Sequence, residues 1–516
     1  MNDNAIMNKS SSSYIIPADF PDPDVIRVDD TYYMVSTTMH FMPGCVILRS
    51  HNLVDWEHAA YVYDELEHTE QETLSDNKGA YGKGMWAASI RYHNGRFYVS
   101  FVANDTHKTY LFTADKIEGP WKRSEIKGFY HDISLLFDDD GRVYCTSGNM
   151  DIRLTELERD LSGPKKDGTD KIIIQDNPDD VILGYEGSHF YKINEKYYVF
   201  LIHIPKGKMR TEACYVADNI LGPYRGGDVL CSDLAGWNSG TAQGGIVQSP
   251  DGSWHSIVFQ DHGALGRIPV LVPVRFEDGF PVFGKDRIAP EEVEVQDLLP
   301  GYKYAPLYSN DFTNPTWQWN HIPDKSLVSV QASTFSIKTG KTCINPVQAA
   351  NTLTQRTYGE HCSGTVQIDA SGINEGDVAG LCALEGEYGF IGITKQNGKY
   401  ILIVAEHKIP YSQWTMGVYD DQKPDILAQK ETDSPRLTLK ATFSLEHENE
   451  SVQFAYSDFN MDKTKGATDF GPPIKLRYTL DQFVGVRFAL FHYSQRTPGG
   501  TSTIKNFKLP KTGRSG

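Results

Sequence analysis

The chain has no cysteine pair at the close spacing that zinc or redox chemistry uses. Its 7 cysteines (Cys45, Cys145, Cys214, Cys231, Cys343, Cys362 and Cys382) are scattered and odd in number, so they are expected to be free thiols in a reducing compartment. No apolar run is long enough to span a bilayer, and the opening MNDNAIMNKSSSSYIIPADF lacks the apolar stretch of a secretory leader. A soluble cytoplasmic protein with no membrane partner is therefore expected; a secreted chain already stripped of its leader would look the same. Clusters of Lys and Arg are also missing. The net charge of -17 lies on scattered acids, which argues against nucleic acid and anionic membranes as partners. Helical periodicity is almost absent, and nothing in the sequence speaks to oligomeric state.

Strands are abundant. With 516 residues, 40% of them apolar and 12% aromatic, the chain is too long for one core and divides into domains large enough to fold without staples. Five strand-turn-strand units recur in the first half: DPDVIRVDDTYYMVSTT from Asp22, WAASIRYHNGRFYVSFVAN from Trp86, DISLLFDDDGRVYCTSG from Asp132, EGSHFYKINEKYYVFLI from Glu186 and QGGIVQSPDGSWHSIVFQD from Gln243. Each turn carries hairpin chemistry: Asp29-Asp30, Asn94-Gly95, Asp140-Gly141, Asn194-Glu195 and Asp251-Gly252. The leading residues are separated by 64, 46, 54 and 57 positions, the length of four-stranded blades with decorated loops, and five such units predict a five-bladed β-propeller.

In a propeller the first strand of each blade lines the axis, so the leading residues Asp22, Trp86, Asp132, Glu186 and Gln243 are expected around one pocket. A lone acid before a strand is commonly just a turn residue. Three in phase are different: gathering like charges in a partly desolvated funnel raises and separates their pKa values at a cost in stability, which points to catalysis. Asp22 also lies between Pro21 and Pro23, a rigid, extended lead-in that no helix tolerates. Trp86 offers a flat ring for stacking on a ligand, and Arg267 in GALGRIPV a forked donor for ligand oxygens. The insertion TTMHFMPG supplies His40 and Phe41 as expected walls of the site, and Gln243 joins the substrate-binding set.

The segments FPDPDVIRVDDTYYMVSTT, GMWAASIRYHNGRFYV, YHDISLLFDDDGRVY, LGYEGSHFYKINEKYYVF and FQDHGALGRI together resemble glycoside hydrolase family 43, in order across the first 300 residues or so. Ala88 departs from the proline many members place there. The resemblance implies inverting hydrolysis of a glycosidic bond. It makes Asp22 the general base, Glu186 the general acid, kept protonated by burial and a nearby negative charge, and Asp132 the acid that orients Glu186 and tunes its pKa. For His262 in FQDHGALGR it implies the role of sole protein ligand to one hydrated calcium ion in the propeller centre. No Asp/Asn/Gly calcium loop occurs, and no organic cofactor is implied.

Beyond about Gly301 the repeat stops, but alternating strands continue, as in GTVQIDASG, YGFIGITKQNGKYILIVAE and FVGVRFALFHYS, with turn signals and no convincing helix. A jelly-roll β-sandwich is expected there, resembling the concanavalin-like domain of family 43 β-xylosidases, whose loop closes the active-site funnel; a separate glycan-binding module is the alternative. The division expected is a flexible segment 1–16, a propeller 17–303 and a sandwich 304–516. The connector DLLPGYKYAPLYSNDF is apolar and aromatic, unlike a free linker, so the domains are expected to pack. A closed funnel implies exo-action on an oligosaccharide, as a β-xylosidase with α-L-arabinofuranosidase activity as second specificity. Two rivals stand beside it. One is a retaining fructan or sucrose hydrolase, whose Asn-Asp-Pro, Arg-Asp-Pro and Glu-Cys motifs are absent here; the other is a non-catalytic glycan-binding propeller, which would not need all three acids.

Overall fold

The computed structural model describes residues 7–409, 420–459, 466–479 and 482–509. Among these the only helical elements are three 3-10 turns of 3 residues each, and no helix is long and apolar enough to cross a membrane. The hairpins close as their turn residues demand: Asn94 and Gly95 take φ values of 49° and 77°, the left-handed pair of a tight two-residue turn.

Five antiparallel sheets form the blades of a propeller. The first four contain Asp24–Val28 to Glu57–Tyr63, Met85–His93 to Lys122–Ile126, Ser134–Phe137 to Asp170–Gln175, and Val181–Ile193 to Arg225–Leu230. In the fifth, Thr241–Ala242 and Ile246–Gln248 both pair with Trp254–Asp261, followed by Arg267–Glu277 and Phe280–Phe283. The ring closes where Gly245 N donates to Pro23 O over 3.3 Å and the Tyr32 hydroxyl donates to Ser249 Oγ over 2.8 Å.

A buried polar knot ties the blades together at the axis. Asp24, fully buried, accepts bonds from Ile90 N at 2.9 Å and Arg91 Nη1 at 2.7 Å, and lies 3.1 Å from His189 Nδ1. Arg91 goes on to donate to Leu135 O and Ser134 Oγ of the third blade. Burial works to raise the Asp24 carboxyl, but Arg91 and His189 hold it well below the usual carboxylate range.

Of the segment 1–16 expected to be flexible, residues 7–16 are not a free tail, and residues 1–6 lie outside the described residues. Met7–Ser12 pairs along its length with Glu292–Asp297, and Ile15 and Ile16 are buried in the core of the first blade. The polar run MNKSSS shows no apolar alternation because a backbone ladder, rather than side-chain burial, holds it.

The second domain is a sandwich of two antiparallel sheets. One has the order Asp425–Thr432, Lys399–His407, Tyr388–Gln396, Asp377–Leu384, Arg487–Ser494, Leu353–Arg356, Trp317–Asn320 and, last, Phe41–Met42 from the propeller. The other is built around His361–Gly372, Arg436–Ser444, Ser451–Asp458 and Thr501–Lys508. Ile368, Leu381, Val404, Phe443 and Phe488 fill the space between.

His40 and Phe41 therefore do not form walls of a sugar site. Phe41 and Met42 pair with Asn320 and Trp319 as an added edge strand. His40 is buried, with Nε2 3.1 Å from Asn320 Oδ1 and its ring stacked on His321. Phe41 lies 3.5 Å beneath the Arg487 guanidinium. An insertion after two strands looks like a rim loop in sequence; here the neighbouring sheet captures it. The connector is also pinned: Ala305 N donates to Glu57 Oε2 at 2.8 Å, the Tyr302 hydroxyl bonds Glu57 Oε1, and His51 N donates to the Tyr304 hydroxyl.

Candidate active site

Where each blade enters its innermost strand, one residue takes a left-handed conformation: Asp22, Ala87, Asp132, Gly187 and Gln243, with φ of 52°, 33°, 50°, 62° and 65°. This ring sets the true phase of the repeat. Trp86 and Glu186 lie one residue ahead of it, so the five leading residues are not equivalent. They occupy two tiers, with Pro21, Trp86, His131, Glu186 and Ala242 one position earlier in the chain. In the second and fourth blades the strand continues through the ring with a register shift at Trp86/Ser89 and at Glu186/His189, bulges of the kind that re-aim side chains beside active sites. Gly187 is required at its position, because a Cβ there would lie 2.8 Å from Gln243 Cγ and 2.9 Å from Ile202 Cγ2.

Exposure falls with depth. The side chains of His131 and Glu186 are 22% and 19% exposed, Asp132 only 5% and Asp22 7%. The mouth therefore narrows onto the acids, and three of the expected residues, Asp22, Asp132 and Glu186, do converge there.

Each acid has its own partners. Asp22 Oδ1 accepts from Arg267 Nη1 at 2.8 Å, with both groups buried. Burial pushes the Asp22 carboxyl up, with Arg267 foremost in opposing it and the Thr37 hydroxyl assisting. Asp132 Oδ2 accepts from Gly187 N at 2.8 Å; burial, joined by the Glu186 and Asp22 charges, pushes it up to about 6 against the pull of His131. Glu186 Oε2 accepts from Asn149 Nδ2 and lies 3.3 Å from His131 Nε2. Glu186 is thus less buried than expected, and its nearest charged neighbour is an imidazole. For that ring, burial works against the cation, but Asp132 and then Glu186 and Asp22 override it and raise His131 to about 9.

Aromatic surfaces complete the site. Trp86 packs against Phe483 at 5.4 Å between centroids and tilts toward His131 at 6.2 Å. Its indole Nε1 is buried with no hydrogen-bond partner. Arg267 lies against the rings of Phe259 and Phe483, 5.3 and 4.5 Å from its guanidinium carbon. Phe483 comes from the sandwich, and Asp19 anchors its segment: Oδ1 accepts from Arg267 N and Oδ2 from Gly485 N. Gln243 lies in the inner ring, its N–H donated to the buried Glu212.

Sequence reasoning missed His131, Asn149, Asp19 and Phe483. His131 had a signal: aligned on the true phase, it falls in the same tier as Trp86 and Glu186. Phe483 had none, since it reaches the funnel from another domain.

His262 does not face the axis. Its ring stacks on Trp237 at 4.2 Å and meets the edge of Tyr14 at 4.9 Å, lining a cavity of about 700 Å³ at the domain seam with Tyr304 and Tyr358. Burial pushes it down to about 4. The histidine at the axis is His189, already engaged with Asp24. The axial cavity below the acids, lined by Asp22, Asp132, His189 and Gln243, measures about 10 Å³. That is room for roughly one water, whereas calcium takes 6–8 oxygen ligands, roughly, at 2.3–2.6 Å. The residues present do not fit a hydrated calcium ion there; Arg91 is bonded to Asp24 and Arg267 to Asp22.

Comparison with known proteins follows this geometry. Residues 12–281 match the family model for glycosyl hydrolases family 43, and residues 308–508 match the model for the β-xylosidase C-terminal concanavalin A-like domain. A β-xylosidase of Formosa agariphila is 26% identical over 96% of this chain and 89% of its own length. A non-reducing end α-L-arabinofuranosidase of Bacteroides ovatus is 25% identical over 78% of this chain and 79% of its own. The solved structure of a bifunctional GH43-CE protein of Bacteroides eggerthii superposes with a TM-score of 0.87 at 38% identity, covering 98% of this chain and 64% of that longer one.

Proposed function

The chain belongs to glycosyl hydrolase family 43, and on that premise we propose that it is an exo-acting, inverting glycosidase that removes terminal pentoses from oligosaccharides, β-D-xylose first and α-L-arabinofuranose second. The observation that carries this reading is the convergence of Asp22, Asp132 and Glu186 at one narrowing mouth, each with different partners. In the proposed reaction Glu186, at the more exposed tier, gives a proton to the departing oxygen. Asp22, held deeper by Arg267, takes one from the water that attacks the opposite face of the sugar. Asp132 sets the charge between them. Trp86 and Phe483 offer flat surfaces to a single terminal ring, and the Phe483 segment supports exo-action by crowding the funnel from the sandwich side.

A panel of aryl β-xyloside, aryl α-L-arabinofuranoside and sucrose tests the reading. Pentoside turnover with the inverted anomer in early product, followed by proton NMR, is expected; a retained anomer with sucrose turnover would replace it with the fructan-hydrolase reading. Asp22→Ala and Glu186→Ala should each reduce hydrolysis of xylo-oligosaccharides by about 10²–10⁴-fold. Near-normal turnover by either variant would remove that residue from its role.

A further inference from the structure

Glu186 does not hold its position alone. His131 occupies the equivalent tier on the preceding blade, and its backbone is fixed on both sides: its carbonyl accepts from Gly148 N at 2.9 Å, and the next carbonyl, of Asp132, accepts from Ser188 Oγ at 2.8 Å. The left-handed turn at Asp132 sends that carboxylate toward Gly187 N while the imidazole points at Glu186. Nε2 of the one ring then faces two carboxylates, Glu186 Oε2 at 3.3 Å and Asp132 Oδ2 at 3.5 Å. Two oxygens at those distances call for an N–H between them, because a bare nitrogen lone pair would repel both.

Taking Glu186 as the general acid of the proposed reaction, we propose that His131 is a positioning residue that shares one proton with it across the Nε2···Oε2 contact. The imidazolium form holds the Glu186 carboxylate at the mouth together with Asn149. When a sugar enters and displaces water, the Nε2 proton passes to Oε2, leaving a neutral imidazole and a carboxylic acid aimed at the glycosidic oxygen. That oxygen takes the proton as the C–O bond breaks. The attacking water forms the new C–O bond and gives one proton to Asp22; after product leaves, Asp22 releases that proton to solvent and the His131–Glu186 pair takes one up, so charge and atoms balance.

The charged groups around the ring are consistent with this. Asp132 flanks it in the chain, Glu186 faces it from the fourth blade, and Asp22 acts on it from the first. Arg267 is committed to Asp22. Asp132 foremost, then Glu186 and Asp22, raise His131 to about 9 against its burial, which favours a protonated ring between the two carboxylates.

Two measurements decide the matter. The first is the pH profile of kcat on xylobiose for the wild type and His131→Asn. The asparagine leaves a lone carboxyl to hold the proton, and carboxyl groups ordinarily release theirs several pH units below such an imidazolium. The alkaline limb of the variant should therefore move to lower pH by at least about one unit. Its loss of rate should also be much larger on xylobiose than on a dinitrophenyl xyloside, whose leaving group needs no proton. An alkaline limb that stays in place or moves to higher pH overturns the shared proton. The second measurement needs no turnover: NMR titration of ring-labelled histidine, with the His131 signal identified by its absence in His131→Asn. That signal should titrate near 9 in the wild type and at lower pH in Glu186→Gln; an unchanged titration in Glu186→Gln overturns the proposal. A protein that cleaves no pentoside would refute the hydrolase reading, and the NMR result would still decide whether the proton is shared.

Discussion

Replacing Arg267 with methionine tests the electrostatics of the base directly. Arg267 Nη1 and Asp22 Oδ1 are 2.8 Å apart, with side chains only 3% and 7% exposed, so solvent screens the pair weakly. Opposite charges about 4 Å apart at an effective dielectric of ~20 attract by about 4 kcal/mol. This is an upper figure, because the site relaxes when the cation is removed. Arg210 and Thr37, which also lower Asp22, are present in both proteins and cancel from the comparison, so the carboxyl should rise further above its ordinary range in the variant.

The sign follows from which form of Asp22 works. Burial already raises its carboxyl in the wild type, and removing the cation raises it more. Hydrolysis that needs the ionised base is then lost at a higher pH as solutions are made more acidic. The acid limb of kcat/KM on an aryl xyloside should move toward alkaline pH in Arg267→Met and return part of the way in Arg267→Lys. Stability should follow the same linkage: a carboxyl raised in the folded state favours folding most fully below its unfolded pKa, and that contribution is lost as pH rises through the folded value. Urea midpoints of Arg267→Met should therefore decline with rising pH over a wider range than those of the wild type. An acid limb that stays in place, or moves to lower pH, would refute the assignment of Asp22 as an ionised base held by Arg267.

Asp19→Ala leaves the N–H groups of Arg267 and Gly485 without the carboxylate they share, at about 1–3 kcal/mol for each unsatisfied donor. A lower melting temperature together with reduced kcat is expected, and wild-type values for both would show that this anchor does not matter. Truncation after Pro300 strips Asn320 and Trp319 from the Phe41–Met42 strand and removes Phe483 from Arg267. The shortened chain should aggregate and fail on a small aryl xyloside; a soluble truncation of undiminished activity would mean that the sandwich is a detachable module.

Much of the fold was legible because hairpins announce themselves locally. Asn94-Gly95 and Asp140-Gly141 need no tertiary context to turn a chain, and their spacing gave the number of blades. The phase was harder. Loops of different length between the repeats conceal a slip of one residue, and only the ring of positive φ at Asp22, Ala87, Asp132, Gly187 and Gln243 shows that Trp86 and Glu186 stand one step ahead of it. That slip hid His131, which reads as the neighbour of an acid until it is placed beside Glu186. His40, Phe41 and His262 were misplaced for a common reason: each follows a propeller strand, where exposure is the default, but each lies where the sandwich docks. No pattern within the propeller repeat encodes a surface that another domain will cover.

The prolines around Asp22 acquire their meaning from the bonds that hold them within the propeller. Pro21 O accepts from Thr37 N at 3.1 Å and from Ser36 Oγ at 2.7 Å, and Pro23 O accepts from Gly245 N at 3.3 Å. The lead-in is thus tied both to its own blade and to the fifth, and Asp22 keeps its left-handed backbone between two residues whose φ cannot vary. A rigid backbone alone would fix the base while leaving its charge to bulk water. The Arg267 guanidinium fixes the charge, and it can do so at full strength only if water is kept from it. Phe259 covers it from the propeller and Phe483 from the sandwich, while Asp19 binds the backbone of both Arg267 and Gly485. The second domain therefore acts on the chemistry through the dielectric around one ion pair, which accounts for a sandwich that is sewn into the propeller instead of being tethered to it.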